Sequence, residues 1–174
     1  MNNLTSDGII SLRAMEPADI DVLYRWENDT RFWDVTDSTA PFSMHLLREY
    51  VADYNADIYA QRQLRLIIER VDTRQPVGIA DLLHFDPLNN RAELGLLIGP
   101  DFQRQGYGER AVKLLMSYAC NHIGLRQIYV YIRQDHDHCL LMFEKLGFSR
   151  CGLLKKWVKR GKDYYDVALM QYIF

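Results

Sequence analysis

The run Gln103-Arg104-Gln105-Gly106-Tyr107-Gly108 follows the apolar residues 94–98 and precedes an amphipathic stretch. A strand, a short glycine-bearing loop and a helix start, in that order, make a holder for phosphate. The first N–H groups of a helix have no partner of their own and point out of its end. Aligned peptide dipoles add roughly half a positive charge there, so both effects hold an anion. Gly106 and Gly108 let backbone approach a ligand with no Cβ between, and Arg104 adds a positive charge at the rim. Two other phosphate loops are excluded. Glu109-Arg110 stands where a P-loop requires Lys-Ser or Lys-Thr, and the two glycines fall short of the dinucleotide fingerprint's three. Taken alone, the pair also fits an ordinary turn before a helix.

Other residue groups carry chemistry of their own. Glu93, in Arg91-Ala92-Glu93-Leu94-Gly95, is a carboxylate on an otherwise apolar strand. Desolvation there favours the neutral acid and suits the group to accept a proton near working pH. The alternative is a structural Glu paired with Arg91 or another cation, or one facing solvent. Glu27, Asp29, Asp34 and Asp37 are interleaved with Trp26, Phe32 and Trp33. Acids with aromatics suit a cationic amine through ion pairing and cation–π contact, and equally suit a solvated loop whose rings pack inward. Asp135-His136-Asp137-His138-Cys139 looks like a metal site, but alternating ligands at a helix start do not converge on one ion. Asp135 or Asp137 as a helix N-cap accounts for the acids, so no metal is expected.

The elements that must position these groups follow from periodicity. Strands are expected over 9–15, 64–69, 76–85, 91–98, 128–132, 148–157 and 164–174, and helices over 16–28, 43–58, 107–122 and 137–146, with 28–42 irregular. Ser43 should cap the second helix and Gly124 should end the third. The pattern gives an α/β or α+β fold, a mixed sheet of about seven strands with about four helices. A chain of 174 residues suffices for one domain with a substantial core, read here as 8–174 after a disordered tail at 1–7. A formal net charge of −2 supplies no basic field for nucleic acid. Three cysteines without a Cys-x-x-Cys pair read as reduced thiols. Neither a signal-peptide pattern nor a membrane-length apolar run is present, so the cytoplasm is expected and a membrane partner is not.

The loop at 103–108 resembles that of the GNAT superfamily of acyl-CoA-dependent N-acyltransferases, whose pattern is Gln/Arg-x-x-Gly-x-Gly/Ala. Residues 139–148, ending Lys145-Leu146-Gly147-Phe148, are similar to a second signature of that family. The opening Leu12-Arg13-Ala14-Met15-Glu16-Pro17-Ala18-Asp19 and the closing Asp166-Val167-Ala168-Leu169-Met170 resemble the subgroup of ribosomal-protein and polyamine acetyltransferases. The resemblance implies a splayed sheet with acetyl-CoA, the cosubstrate, between the fourth and fifth strands. It implies pyrophosphate held by Gln103, Arg104, Gln105, Gly106, Tyr107, Gly108 and Glu109, and carbonyl-polarising backbone donors at Leu96, Leu97 and Ile98. Glu93 becomes the base for direct acetyl transfer to a primary amine, and Glu27, Trp33 and Asp34 border the acceptor.

The chain departs from the family pattern at three places. His136 replaces an Asn that contacts the cofactor, and is carried over as a binding residue. Phe143 replaces a Tyr that protonates the departing thiolate, so either the thiolate leaves bare, or Tyr131, Tyr129, Cys139 or water substitutes. Ser38-Thr39-Ala40 stands where polyamine enzymes carry an acidic pair, which leaves a polyamine, a protein N-terminus and another small amine all open as acceptors. The alternative function is a catalytically inactive CoA-binding regulatory module. Trp157, Tyr164, Tyr165 and Tyr172 fit a homodimer seam and equally fit ordinary surface apolar area.

Overall fold

The computed structural model describes residues 4–36 and 38–174, and only the backbone of Asp34 and Val35. Seven strands form one sheet: β1 (Ile10–Arg13), β2 (Leu64–Arg70), β3 (Pro76–Asp86), β4 (Arg91–Ile98), β5 (Gln127–Arg133), β6 (Ser149–Arg160) and β7 (Asp163–Ile173). Their order is β1-β2-β3-β4-β5-β7-β6. Neighbours run antiparallel except β4 and β5, which are parallel. The helices are α1 (Ile20–Glu27), α2 (Trp33–Thr36), α3 (Met44–Ala52), α4 (Ile58–Gln61), α5 (Tyr107–Tyr118) and α6 (Asp137–Lys145). The mixed seven-stranded sheet and the four longer helices are those expected from periodicity.

Strand alternation sorts the core into two layers. Ile68, Ala80, Leu82, Ala92 and Leu94 face α5, whose Ala111, Val112 and Leu115 are buried against them. Ile67, Ile79 and Leu97 point the other way, toward Leu23 and Trp26 of α1 and Val51 of α3. Sheet and helices therefore make three layers.

Several boundaries differ from expectation for local reasons. The helix after Ser43 is capped as expected, Ser43 Oγ accepting from Leu46 N–H at 3.0 Å, but stops at Ala52 rather than near Ile58. Asp57 begins a separate turn by accepting from Tyr59 and Ala60 N–H, an alternative to helix that short acidic side chains offer. The segment expected to be irregular contains the single turn α2. Helix α5 passes into a wider π turn at Ala119–Ile123 and closes on Gly124 in the left-handed region. Thr5 and Asp7, placed in a tail by sequence, are tied to β1 and α5: Thr5 C=O accepts from Leu12 N–H, Asp7 Oδ1 accepts from Ile10 N–H at 2.9 Å, and Asp7 pairs with Arg110 of α5 at 2.7 Å.

Of the four late-strand aromatics, two have internal contacts. The Tyr172 ring packs between Phe148 and Phe174, and Tyr165 lies under the Arg133 guanidinium at 4.6 Å. Trp157 and Tyr164 remain exposed.

Candidate active site

Strands β4 and β5 pair only at Arg91↔Gln127, Ala92↔Ile128 and Glu93↔Tyr129. Past Glu93, β4 continues beside β3 alone and β5 beside β7 alone. The parting opens a cleft of about 590 Å³. Leu94, Gly95, Leu96 and Leu97 form one wall, and Val130, Tyr131 and Ile132 the other, with α6 closing the side through Cys139, Met142 and Phe143. A strand edge without a neighbour presents backbone groups that a ligand can satisfy. Of the three residues expected to polarise a carbonyl, Leu96 and Leu97 line the cleft; Ile98 lies beyond it, and its C=O accepts from Gln103 Nε2 at 3.2 Å.

The loop joining β4 to α5 lies just past this wall. Gly106 is the N-cap of α5 with φ +83°, and no side chain caps that end. A Cβ at Gly106 would meet nothing within 4 Å, so the glycine serves conformation and open approach rather than packing. Arg104 is also left-handed, φ 59°, a strained choice for a non-glycine residue. Gln105 Nε2 donates to Asp101 C=O at 3.0 Å, fastening the loop to itself. Glu109 faces outward and accepts from Lys113 at 2.8 Å and Lys145 at 2.9 Å. Those two ammonium groups hold its carboxyl down at about 2, so its charge is neutralised beside the helix end. By sequence Lys145 has a place in a family signature but no partner, and Lys113 is not marked.

The cleft floor carries a polar row set by strand register. Arg65 on β2 is opposite Asp81 on β3, which is opposite Gly95 on β4. Arg65 donates to both Asp81 oxygens, at 3.1 and 3.0 Å, and to Glu27 Oε1 at 2.8 Å. Asp81 and Glu27 are buried. Burial pushes the Asp81 carboxyl above its usual range and the guanidinium pulls it back only partly. Desolvation acts to lower Arg65, but Asp81, with Glu27 beyond it, holds the cation well above its usual value. Gly95 makes room for this group, since a Cβ there would stand 3.1 Å from the Asp81 Cβ. Two carboxyl groups, those of Asp81 and Glu27, thus share one guanidinium at the floor. Of these residues only Glu27 was expected at the acceptor. Arg65 and Asp81 were missed, although a charged residue inside Leu64-Arg65-Leu66 and Ala80-Asp81-Leu82 is a signal of a paired interior group.

Glu93 lines the cleft one row along. Its partner is not Arg91, which pairs with Asp86 at 3.2 Å, but His84, whose Nδ1 lies 2.9 Å from Glu93 Oε2. His136 lines the cleft as the residue preceding α6. Burial lowers the basicity of its imidazole, and Arg133 and Arg160 add to this. It takes the N-cap position that Asp135 or Asp137 was expected to fill; Asp135 is instead held by Arg133 at 2.7 and 2.9 Å. Among the described residues no three His, Cys, Asp or Glu side chains are grouped to hold a metal ion.

Phe143 is buried against Phe148, ring centroids 4.9 Å apart. Of the groups that can replace the missing hydroxyl, Tyr131 and Cys139 line the cleft and Tyr129 does not. Burial raises the Cys139 thiol, which therefore stays protonated.

Trp33 is outside the cleft lining. Its Nε1 donates to Glu27 C=O at 2.9 Å, stapling the end of α1. The side chain of Asp34 and all of Asp37 fall outside the described residues. Asp29 pairs with Arg31 at 2.5 Å.

A parted parallel strand pair beside an uncapped, glycine-led helix start is the arrangement that the resemblance to acyl-CoA-dependent N-acyltransferases implied. A family model described as "Acetyltransferase (GNAT) domain" matches residues 10–149, and the chain belongs to that family. It is an acetyl-CoA-dependent N-acetyltransferase, with acetyl-CoA as cosubstrate. The chain is similar to spermidine N(1)-acetyltransferase of Escherichia coli (strain K12), 25% identical over 143 residues that cover 80% of this chain and 73% of that protein. It is similar also to the uncharacterized N-acetyltransferase YoaA of Bacillus subtilis (strain 168), 25% identical over 167 residues, 94% and 92% of the two chains. In fold it matches the crystal structure of spermidine N-acetyltransferase from Vibrio cholerae in complex with CoA and spermine, with a TM-score of 0.85 at 21% identity over 96% of each chain.

Proposed function

We propose that the protein transfers the acetyl group of acetyl-CoA directly to the primary amine of a small polyamine. In this reading the diphosphate lies on the amides of residues 103–109, and the thioester end lies between residues 94–97 of β4 and the facing part of β5. Leu96 and Leu97 supply backbone donors for the thioester carbonyl, where negative charge develops as the amine attacks. His136 borders the pantetheine. Glu93 stands at the proton-accepting end, because an alkylammonium of pKa about 10 has no lone pair until it loses a proton.

The observation that carries the acceptor class is the floor of the cleft. Glu27 and Asp81 bring two carboxyl groups to the single Arg65 guanidinium, and Tyr50 and Trp157 line the same space, a combination suited to a cation. The names of the Escherichia coli and Vibrio cholerae relatives point the same way. Arg65 also favours a second reading, a peptide N-terminus, since a guanidinium in the cleft can meet an acceptor's carbonyl groups. Assembly with further copies belongs to the same proposal, prompted by the dodecameric Vibrio cholerae structure and by exposed Trp157 and Tyr164; a homodimer is the simplest form. So does a cytoplasmic location, prompted by three free cysteines.

Release of CoA thiol from acetyl-CoA, followed with polyamines, N-terminal peptides and monoamines, tests the acceptor. Polyamines should give the highest kcat/KM. Preference for peptides would replace the first reading by the second, and CoA binding without thiol release from any amine would leave only a binding module.

A further inference from the structure

His84 sits at a defect in the β3–β4 ladder. Leu83 is opposite Glu93 and Asp86 opposite Arg91, so His84 and Phe85 together face the single residue Ala92. Strict alternation would carry the side chain of residue 84 to the α5 face with Leu82. The extra residue breaks that order: Phe85 is buried in the α5-side core, and His84 takes the left-handed conformation, φ 50°. Its ring is thereby returned to the Glu93 side, where Nδ1 and Glu93 Oε2 are 2.9 Å apart. Bulges that re-aim one side chain, and non-glycine residues held at positive φ, cluster at functional sites. A strained residue whose side chain is 74% exposed contributes little to packing, so stability alone does not account for this geometry.

We propose that His84 and Glu93 form a hydrogen-bonded dyad in which His84 accepts the proton from the acceptor ammonium and Glu93 is the positioning residue. This rests on the acetyl-transfer reading and changes which of the two groups meets the amine. Donation from Nδ1–H to Glu93 Oε2 fixes the tautomer and leaves the Nε2 lone pair facing away from Glu93. Both residues line the cleft. The ammonium gives its first proton to Nε2, and the exposed imidazolium passes it to water. The freed nitrogen pair then forms the C–N bond at the thioester carbon. The C–S bond breaks with its electron pair on sulfur, and the second nitrogen proton, lost as the amide forms, ends on that sulfur. Other charged or titratable groups near the dyad are Tyr129 and Tyr131 on β5 and the Arg91–Asp86 pair at the hairpin end. Across the floor lie Asp81 and Arg65.

The test is the pH dependence of kcat/KM for the wild type, His84→Gln, Glu93→Gln and the double variant, with the Kd for CoA measured alongside. General-base removal is expected to lower kcat by about 10²–10⁴-fold. His84→Gln should show that loss, lose the acid limb of the profile and bind CoA as the wild type does. Glu93→Gln should lose less, and the double variant no more than His84→Gln, because the two act as a unit. Added imidazole should restore part of the activity of His84→Ala. A His84→Gln enzyme that keeps its rate and acid limb while Glu93→Gln loses both overturns the dyad and makes Glu93 the direct base. A wild type that binds CoA yet releases no thiol with any amine overturns the transferase reading and the dyad with it.

Discussion

Gly106→Asp should weaken CoA binding by roughly 100-fold or more while leaving the fold intact. The N-cap glycine has φ +83°, and a Cβ at that position would have no neighbour within 4 Å, so a side chain there meets no steric obstacle. The left-handed conformation costs an L-residue about 1–2 kcal/mol, less for Asp than for most. A carboxylate at a helix N-terminus is itself favourable, which offsets part of that strain. The same carboxylate occupies the amides and the dipole field proposed for the diphosphate. Two like charges 4 Å apart near a protein surface repel by about 4 kcal/mol before salt screening. Gly106→Asn, of the same shape without the charge, should lose much less. Calorimetry with CoA checks both variants; equal affinity for Asp and wild type would remove the diphosphate from this loop.

Arg65→Met should be the most destabilising single change in the cleft, by about 3–5 kcal/mol, because it strands two buried carboxylates. Arg65 is the cation shared by Asp81 and Glu27. Burial already raises Asp81 above the ordinary carboxylate value of 3.8 with the guanidinium in place. Without it the folded protein binds a proton at Asp81 more tightly than the unfolded chain does. Stability then falls as pH rises through the folded value, so the deficit against wild type should widen from acid toward neutral pH. Adding Asp81→Asn should recover a large part of the loss. Denaturant unfolding across pH measures this, and a loss below about 1 kcal/mol for Arg65→Met would show the ion pairs to be surface-like in energy.

The readable parts of this protein are those specified locally. Residues 103–108 and 145–148 announce their loop and helix end through glycine placement, and Ser43 caps the helix it should. The parting of β4 from β5 was legible only through family resemblance, since no composition rule says where a parallel pair stops bonding. The Arg65–Asp81 pair and the turning of His84 toward Glu93 depend on register between strands, which a single sequence does not display. The bulge at His84 shifts the alternation by one residue, and a period-2 reading of residues 76–86 places that side chain on the wrong face. Trp33 has a local role that its type does not display. Its indole N–H donates to the Glu27 carbonyl at the end of α1, a contact set by the packing of α1 and α2 rather than by anything in the local sequence.

The decisive observation is a crystal structure of the protein with CoA bound. Diphosphate oxygens should lie within hydrogen-bonding distance of the backbone N–H groups of residues 103–109. The sulfur end should lie between residues 94–97 of β4 and Tyr131 of β5, on the side of the cleft that holds Glu93 and His84. Diphosphate bound elsewhere, or a sulfur directed away from Glu93, would contradict acetyl transfer in this cleft.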